Sequence, residues 1–345
     1  MRRAIRVLVA DDSSVMRLLI SDILNQDKNI KVISKVNNGK EAIESTLENQ
    51  PDVVVMDMNM GQYDGLYAVE NIMRQKPTPI ILLSSVGNTD LTPIMKAMKL
   101  GAFDYLNKPI RSKVRIMDIG QDLIKKVKVA ANANLELLGQ NGVKTIVAPH
   151  TFSNELDYEI IVIGSSTGGP TAVETIIKQL PENLAVPVLV AQHMPDNFIP
   201  SFASRLNRLT PLNVEVGKLG TKLQPRHVYV APGKMNMIVK RRGKDVVIGS
   251  TKRKFKEFNH PSVNALMSSV AKVYGMKSIG VILTGMGRDG TDGITEIKQT
   301  GGFTVAQSQE TSVVFGMPKE AINSGNIDRV VALNEIGVFL VSSLN

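Results

Sequence analysis

The sequence predicts an α/β protein of two units, each a mostly parallel sheet with helices on its faces. Three observations carry that expectation. Short apolar, β-branched runs alternate with amphipathic segments from residue 5 to about 125 and again from 159 onward. The stretch between, 126–158, breaks the alternation, and the length of 345 residues suits two domains of ~150 residues each.

In the first unit, strands are predicted over 5–10, 30–36, 53–58, 80–84 and 103–106. Helices are predicted over 13–25, where Val15, Leu19 and Ile23 recur every four residues, and over 39–47, 66–74, 90–100 and 113–130. Short right-handed crossovers make the five strands a parallel sheet with helices on both faces. Ligands of such sheets gather at the carboxyl ends of the strands. Those ends carry Asp11 and Asp12, Asp57, Ser84 and Lys108. Close carboxylates repel unless a hard divalent cation such as Mg²⁺ sits among them. A carboxylate held there can also attack a phosphoryl group, with Lys108 and Ser84 compensating charge on its oxygens.

Over residues 1–125 these motifs resemble the receiver domains of response regulators, a flavodoxin-like fold: Val9-Ala10-Asp11-Asp12-Ser13, Met56-Asp57-Met58-Asn59-Met60, Asp64-Gly65, Ser84-Ser85 and Asn107-Lys108-Pro109. The resemblance implies that Asp57 accepts phosphate from a histidine kinase. It implies Mg²⁺ held by Asp12, Asp57 and the Asn59 carbonyl with Asp11 supporting the metal waters, and a switch built from Ser84 and Tyr105 beside Lys108. Gly61 departs from the family, which usually has proline there, and is expected to loosen the loop.

Residues 126–158 mix alanines, asparagines, glycines and Pro149, the composition of a partly helical linker. His150 lies in it and is expected to have no role.

The second unit, 159–345, opens on an apolar strand running into Gly164-Ser165-Ser166-Thr167-Gly168-Gly169-Pro170. Gly164-x-Ser166-x-Gly168 has the spacing of a nucleophile elbow, in which small residues let a sharp strand-to-helix turn display a serine. Glycine-rich turns also seat phosphates or dinucleotides, although G-x-G-x-x-G spacing is absent here. A helix follows through Val173, Ile176, Ile177 and Leu180, then a strand over 187–192 that ends in His193. A helix is predicted over 198–206, strands over 214–219 and 228–231, a helix over 262–274, and a buried strand over 278–284 entering the glycine-rich run 285–293. Of the four histidines, His193 alone follows directly on a continuous apolar strand, which makes it the candidate base for Ser166. Asp289 or Asp292 supplies the carboxylate that would orient it. The chain order Ser, His, Asp differs from that of α/β-hydrolases, so a different, doubly wound Rossmann-like scaffold is expected.

Six runs, the elbow among them, make 159–345 similar to the catalytic domain of the chemotaxis protein-glutamate methylesterase family. They are Ile163 through Gly169, Gln192-His193-Met194-Pro195, Val230-Ala231-Pro232-Gly233, Pro261-Ser262-Val263, Leu283 through Gly290, and Gly316-Met317-Pro318. The resemblance implies Ser166 as nucleophile, His193 as general base, Asp289 as its orienting partner, and an oxyanion hole from backbone N–H groups near Thr167 and Met286. It implies a phosphorylation-activated esterase, with no cofactor in the esterase site, that removes glutamate γ-methyl esters from methyl-accepting chemoreceptors and deamidates receptor glutamines. Asn264 stands where the family commonly has aspartate, and Arg288 where it often has asparagine.

Composition fits that picture. Hydrophobic residues are 43%, charged residues 21% and aromatics 4%, with 16 Met and no Trp, so aliphatics build the cores. The absence of cysteine excludes a disulfide framework, a thiol nucleophile and Cys-ligated zinc, and suits a cytoplasmic protein. Arg6, Asp11 and Asp12 interrupt the N-terminal apolar run too early for a signal peptide, and no apolar stretch reaches ~18 residues, so no membrane insertion is expected. The net charge of +9 and the clusters Lys240, Arg241, Arg242, Lys244 and Lys252, Arg253, Lys254, Lys256 are read as a solvated basic face on a hairpin or loop. A DNA-binding response regulator is the alternative that this charge admits. It requires a compact helix-turn-helix after the receiver, whereas the sequence shows a long α/β unit, so no nucleic-acid partner is expected.

Overall fold

β-Branched runs flanked by capped helices form the strands and crossovers of two separate sheets. The computed structural model describes residues 3–85, 90–108, 113–133, 158–253 and 260–344, with side chains left out for 113–119. Two compact units, Met1–Asn141 and Gly142–Asn345, are present. Most of the predicted linker, His150 included, lies outside the described residues, as do Pro109, Lys254 and Lys256.

The first unit runs β1 (Ile5–Ala10), α1 (Ser14–Asn25), β2 (Ile30–Val36), α2 (Gly39–Asn49), β3 (Val53–Asp57), α3 (Gly65–Gln75), β4 (Ile80–Ser84), α4 (Thr92–Lys99), β5 (Asp104–Asn107) and α5 (Lys113–Ala130). Its five strands are parallel in the order β2-β1-β3-β4-β5. Val7 to Ala10, Val53 to Met56 and Ile80 to Leu83 are fully buried, as expected of strands covered on both faces. The helices start where polar side chains replace missing acceptors: Ser13 accepts from the N–H of Met16, Asn38 from Glu41, and Asp64 from Tyr67. The predicted helix over 90–100 begins only at Thr92. Asp90 instead accepts the Thr92 N–H, and Pro93 lies in the first turn, where its missing N–H costs nothing.

The second unit runs β6 (Ile160–Ser165), α6 (Gly169–Ile177), β7 (Val188–Gln192), α7 (Ile199–Asn207), β8 (Asn213–Val216), β9 (His227–Val230), β10 (Asn236–Arg242) and β11 (Asp245–Thr251). It continues with α8 (Val263–Tyr274), β12 (Ser278–Ile282), α9 (Thr291–Gln299), β13 (Phe303–Gln307), α10 (Met317–Asn323), β14 (Arg329–Val331) and α11 (Leu333–Ser342). Seven strands form a parallel sheet in the order β14-β13-β12-β6-β7-β9-β8. The chain leaves β6 for β7 on one side and later returns to place β12 on the other. That reversal is the switch point at which doubly wound sheets open a crevice. The basic segment is an antiparallel hairpin, β10 with β11, whose tip residues Lys240, Arg241, Arg242 and Lys244 are exposed. The predicted strand over 214–219 stops at Val216, although the Gly217 N–H still donates to Val230. Among the described residues, no helix is long and apolar enough to cross a membrane.

Candidate active site

β6 ends at the switch point, and the turn after it holds Ser166. Gly168 takes φ 77°, which a side chain would strain, and a Cβ there would lie 2.8 Å from Val313 Cβ. Pro170 occupies the first turn of α6, where its fixed φ suits a helix start. The Ser166 N–H donates to the Thr284 carbonyl at 3.0 Å, and its own carbonyl accepts from Gly169 at 2.8 Å. The turn is therefore fixed from two sides, with Ser166 9% exposed.

His193 follows the strand beside it. β6 and β7 pair up to Ser165 and Gln192, and the His193 N–H then donates to the Ser165 carbonyl at 2.9 Å. The residues one step beyond the ladder, Ser166 and His193, thus leave adjacent strands at the same edge. Asp289, on the loop after β12, meets the ring from the other side of β6: Nε2 of His193 and Oδ2 of Asp289 are 2.8 Å apart.

Asp289 is 2% exposed, and α8 makes its burial tolerable. The backbone N–H groups of Val263 and Asn264 donate to Oδ2 and Oδ1 at 2.7 and 3.0 Å, and the Ser262 hydroxyl donates to Oδ1 at 3.2 Å. The carboxylate therefore sits on a helix N-terminus, where unpaired N–H groups and the dipole favour negative charge. Both of its oxygens are engaged as acceptors, so the hydrogen in the contact with His193 belongs to Nε2. Nδ1 is then the ring nitrogen left to accept a proton.

The loop from β12 also passes beside Ser166. A Cβ on Gly285 would fall 2.8 Å from Ser166 Cβ and 3.1 Å from Ser166 N. The N–H groups of Gly316 and Met317 hold this loop through the Gly285 carbonyl at 3.1 and 2.8 Å. Met286 is the next residue, so its backbone, like that of Thr167, flanks the serine.

A second constellation lies in the first unit. Lys108 Nζ stands 2.8 Å from Asp11 Oδ2 and 2.7 Å from Asp57 Oδ2, and carboxylate oxygens of Asp11, Asp12 and Asp57 lie within 4.8 Å of one another. Burial pushes the Asp57 carboxyl up from its ordinary value against the pull of the Lys108 ammonium. Burial disfavours that ammonium too, yet its bonds to Asp11 and Asp57 hold its pKa above the usual lysine value. Asp57 Oδ1 is buried without a hydrogen-bond partner. An all-oxygen set with one orphaned buried acceptor fits Mg²⁺. Asn59 lies two residues beyond Asp57 and is exposed. Ser84 is fully buried at the end of β4, its carbonyl accepting the Lys108 N–H at 2.7 Å. Burial, with the charge of Asp104, raises the Tyr105 phenol well above its ordinary value.

Residues 161–340 match the CheB methylesterase family and residues 7–119 the response regulator receiver domain. A protein-glutamate methylesterase/protein-glutamine glutaminase from Desulfitobacterium hafniense is 38% identical over 98% of this chain and 97% of its own. One of the same description from Archaeoglobus fulgidus is 39% identical, covering 98% of each chain. The chain belongs to the CheB methylesterase family. Among solved structures, the Thermotoga maritima CheB methylesterase catalytic domain superposes with a TM-score of 0.53 at 39% identity, covering 55% of this chain and 100% of that one.

Against that CheB frame, the two carboxylates that spacing left open, of which the resemblance favoured Asp289, separate. Asp292 is exposed and pairs with Arg288 at 3.4 Å, so Asp289 alone reaches His193. His227 starts β9 at the amino edge, where Nδ1 contacts the Pro225 carbonyl, and His260 is exposed. Three residues with structural weight in the site stand in or beside the matching runs without a role assigned to them from sequence: Gln192, Ser262 and Asn264. The Asn264 side-chain oxygen accepts from Gly290 and Gly293 at 3.0 and 2.8 Å, a task an amide performs without the charge of the family's aspartate. Where a transcriptional output would need a helix-turn-helix, residues 161–340 match the methylesterase family and the sheet is parallel, which leaves the DNA-binding alternative without support.

Proposed function

We propose that this chain hydrolyses glutamate γ-methyl esters on methyl-accepting chemoreceptors, releasing methanol, deamidates receptor glutamines by the same route, and is activated when a chemotaxis histidine kinase supplies phosphate to Asp57. The observation that carries the reading is the hydrogen bond of His193 to a fully anchored Asp289 at the strand edge where Ser166 is displayed.

Ser166 Oγ attacks the ester carbonyl carbon and gives its proton to Nδ1 of His193, while Asp289 holds Nε2–H and stabilises the imidazolium. The oxyanion that forms takes hydrogen bonds from the backbone N–H groups of Thr167 and Met286, each worth about 2.7–4 kcal/mol in other serine enzymes. Collapse breaks the C–O bond, the imidazolium returns the proton to the leaving methoxide, and methanol departs. Water, deprotonated by the same nitrogen, then cleaves the acyl-enzyme to leave glutamate. With an amide substrate the leaving group is ammonia.

In the first unit, Asp11, Asp12, Asp57 and the Asn59 carbonyl would hold Mg²⁺, which when bound supplies positive charge against phosphoryl oxygens. Lys108 orients the Asp57 carboxylate and offers its ammonium to the transferred group, and Ser84 and Tyr105 supply hydroxyls for the switch.

The test is methanol release from methylated chemoreceptor membranes by the purified protein, with and without a small-molecule phosphodonor and Mg²⁺. Release that rises with the phosphodonor is expected; no release in either condition overturns the esterase reading.

A further inference from the structure

Gln192 closes β7 with its side chain 1% exposed, and its amide is spent within the site. Nε2 donates to the Ser166 carbonyl at 2.9 Å and to the His193 carbonyl at 2.8 Å, while Oε1 accepts the Ser165 hydroxyl at 2.6 Å. Turning the amide over would set Oε1 against two carbonyl oxygens, so the assignment of oxygen and nitrogen is fixed by its neighbours. The space is reserved by Gly169, on which a Cβ would lie 2.1 Å from Oε1.

Resting on the roles proposed above for Ser166 and His193, we infer that Gln192 is a positioning residue for the hydrolysis, the clamp that sets the separation of nucleophile and base. The reason lies in the strand ends. The ladder between β6 and β7 stops at Ser165 and Gln192, and the His193 to Ser165 bond is the last backbone link. Beyond it one chain turns through Gly168 and the other through Met194 and Pro195, so sheet pairing no longer holds Ser166 against His193. A single side chain bonded to both carbonyls replaces the missing ladder. Burial strengthens its bonds, because no water competes for them. Gln192 meets no reacting atom; it acts through the two residues that do.

The experiment compares Gln192→Met, which keeps the volume and removes all three bonds, with Gln192→Glu. The glutamate keeps an acceptor for Ser165 and turns an oxygen toward the two carbonyls. Both are measured in the full chain beside Ser166→Ala, with methylated chemoreceptor membranes as substrate and the folded fraction fixed by circular dichroism. The expected result is a kcat lowered on the order of 100-fold per folded molecule with KM little changed, the scale of a misplaced catalytic group. The deficit of the glutamate variant against wild type should shrink at low pH, where a protonated carboxyl regains one donor; a loss of packing alone would not follow pH in that way. Wild-type kcat in whichever of the two variants folds, with Ser166→Ala inactive, overturns the clamp and leaves the triad standing. Wild-type activity in Ser166→Ala removes the triad reading and the clamp with it.

Discussion

The Asn264 backbone N–H donates to Asp289 Oδ1 at 3.0 Å, while its side-chain oxygen takes the N–H groups of Gly290 and Gly293, on either side of the start of α9. One residue at the N-terminus of α8 therefore fixes both the carboxylate that orients His193 and the glycine turn that carries it. Replacement by alanine strands two buried N–H groups, a cost of about 1–3 kcal/mol for each unpaired group. Asn264→Ala is expected to lower the urea midpoint and the esterase rate together. Asn264→Asp keeps the oxygen that accepts both N–H groups and adds a negative charge beside Asp289. Desolvation and repulsion from Asp289 make that buried charge costly, so the urea midpoint should fall. A midpoint equal to wild type would show that the site accommodates a second carboxylate.

Asp289→Asn tests the anchoring directly. An amide presents a donor where the carboxylate accepts, so at least one of the N–H groups of Val263 and Asn264 or the N–H of His193 loses its acceptor. The expected result is a fall in kcat on the order of 10⁴, as when the orienting carboxylate of a serine triad is lost, measured as methanol release. A fall of only a few-fold would mean that His193 is held by its backbone alone.

Much of this was legible in the chain. Strands buried on both faces read as near-continuous apolar runs, and Asp57, Ser166 and His193 are conspicuous because each stands where such a run ends. The choice between Asp289 and Asp292 was not legible from spacing, and only the family resemblance favoured Asp289. Both occupy one glycine-rich loop, and what separates them is the N-terminus of α8, a tertiary neighbour that no local spacing reveals. Gln192 was visible as the end of a strand and part of a matching run, but its bonds to Ser165, Ser166 and His193 are tertiary contacts that no local spacing reveals. The elements beyond Gly293 went unassigned; β14 has three residues and is largely exposed, which leaves little periodicity to detect there.

Lys108 separates two buried carboxylates, and its removal should expose their repulsion. Lys108→Ala leaves Asp11 and Asp57 without their shared cation, and breaking a buried pair of this kind costs about 3–5 kcal/mol. Mg²⁺ binds the folded arrangement and not the unfolded chain, so it should raise the melting temperature of the first unit more in the variant than in wild type. Thermal unfolding in EDTA and in millimolar Mg²⁺ reads this difference. Equal Mg²⁺ shifts in the two proteins would argue that the ion does not share the Asp11 and Asp57 site.

Gly61 replaces the proline usual in receivers, and the backbone gives the reason. Its φ is 71°, in the left-handed region, with no heavy atom within 4 Å of where a Cβ would stand. Conformation and not crowding therefore selects glycine. Gly61→Ala should cost about 1–2 kcal/mol, the penalty of the left-handed region for an L-residue. Proline, locked near −65°, cannot take this φ at all, so Gly61→Pro must redirect the loop between Asp57 and Asp64. Asn59 lies on that loop, so the proline variant should also slow phosphorylation of Asp57 by a small-molecule donor, and the alanine variant should not. Urea midpoints and phosphorylation rates of the two variants decide the matter: a proline variant as stable and as quickly phosphorylated as wild type would show that the loop reaches a second, equally good path without the left-handed turn.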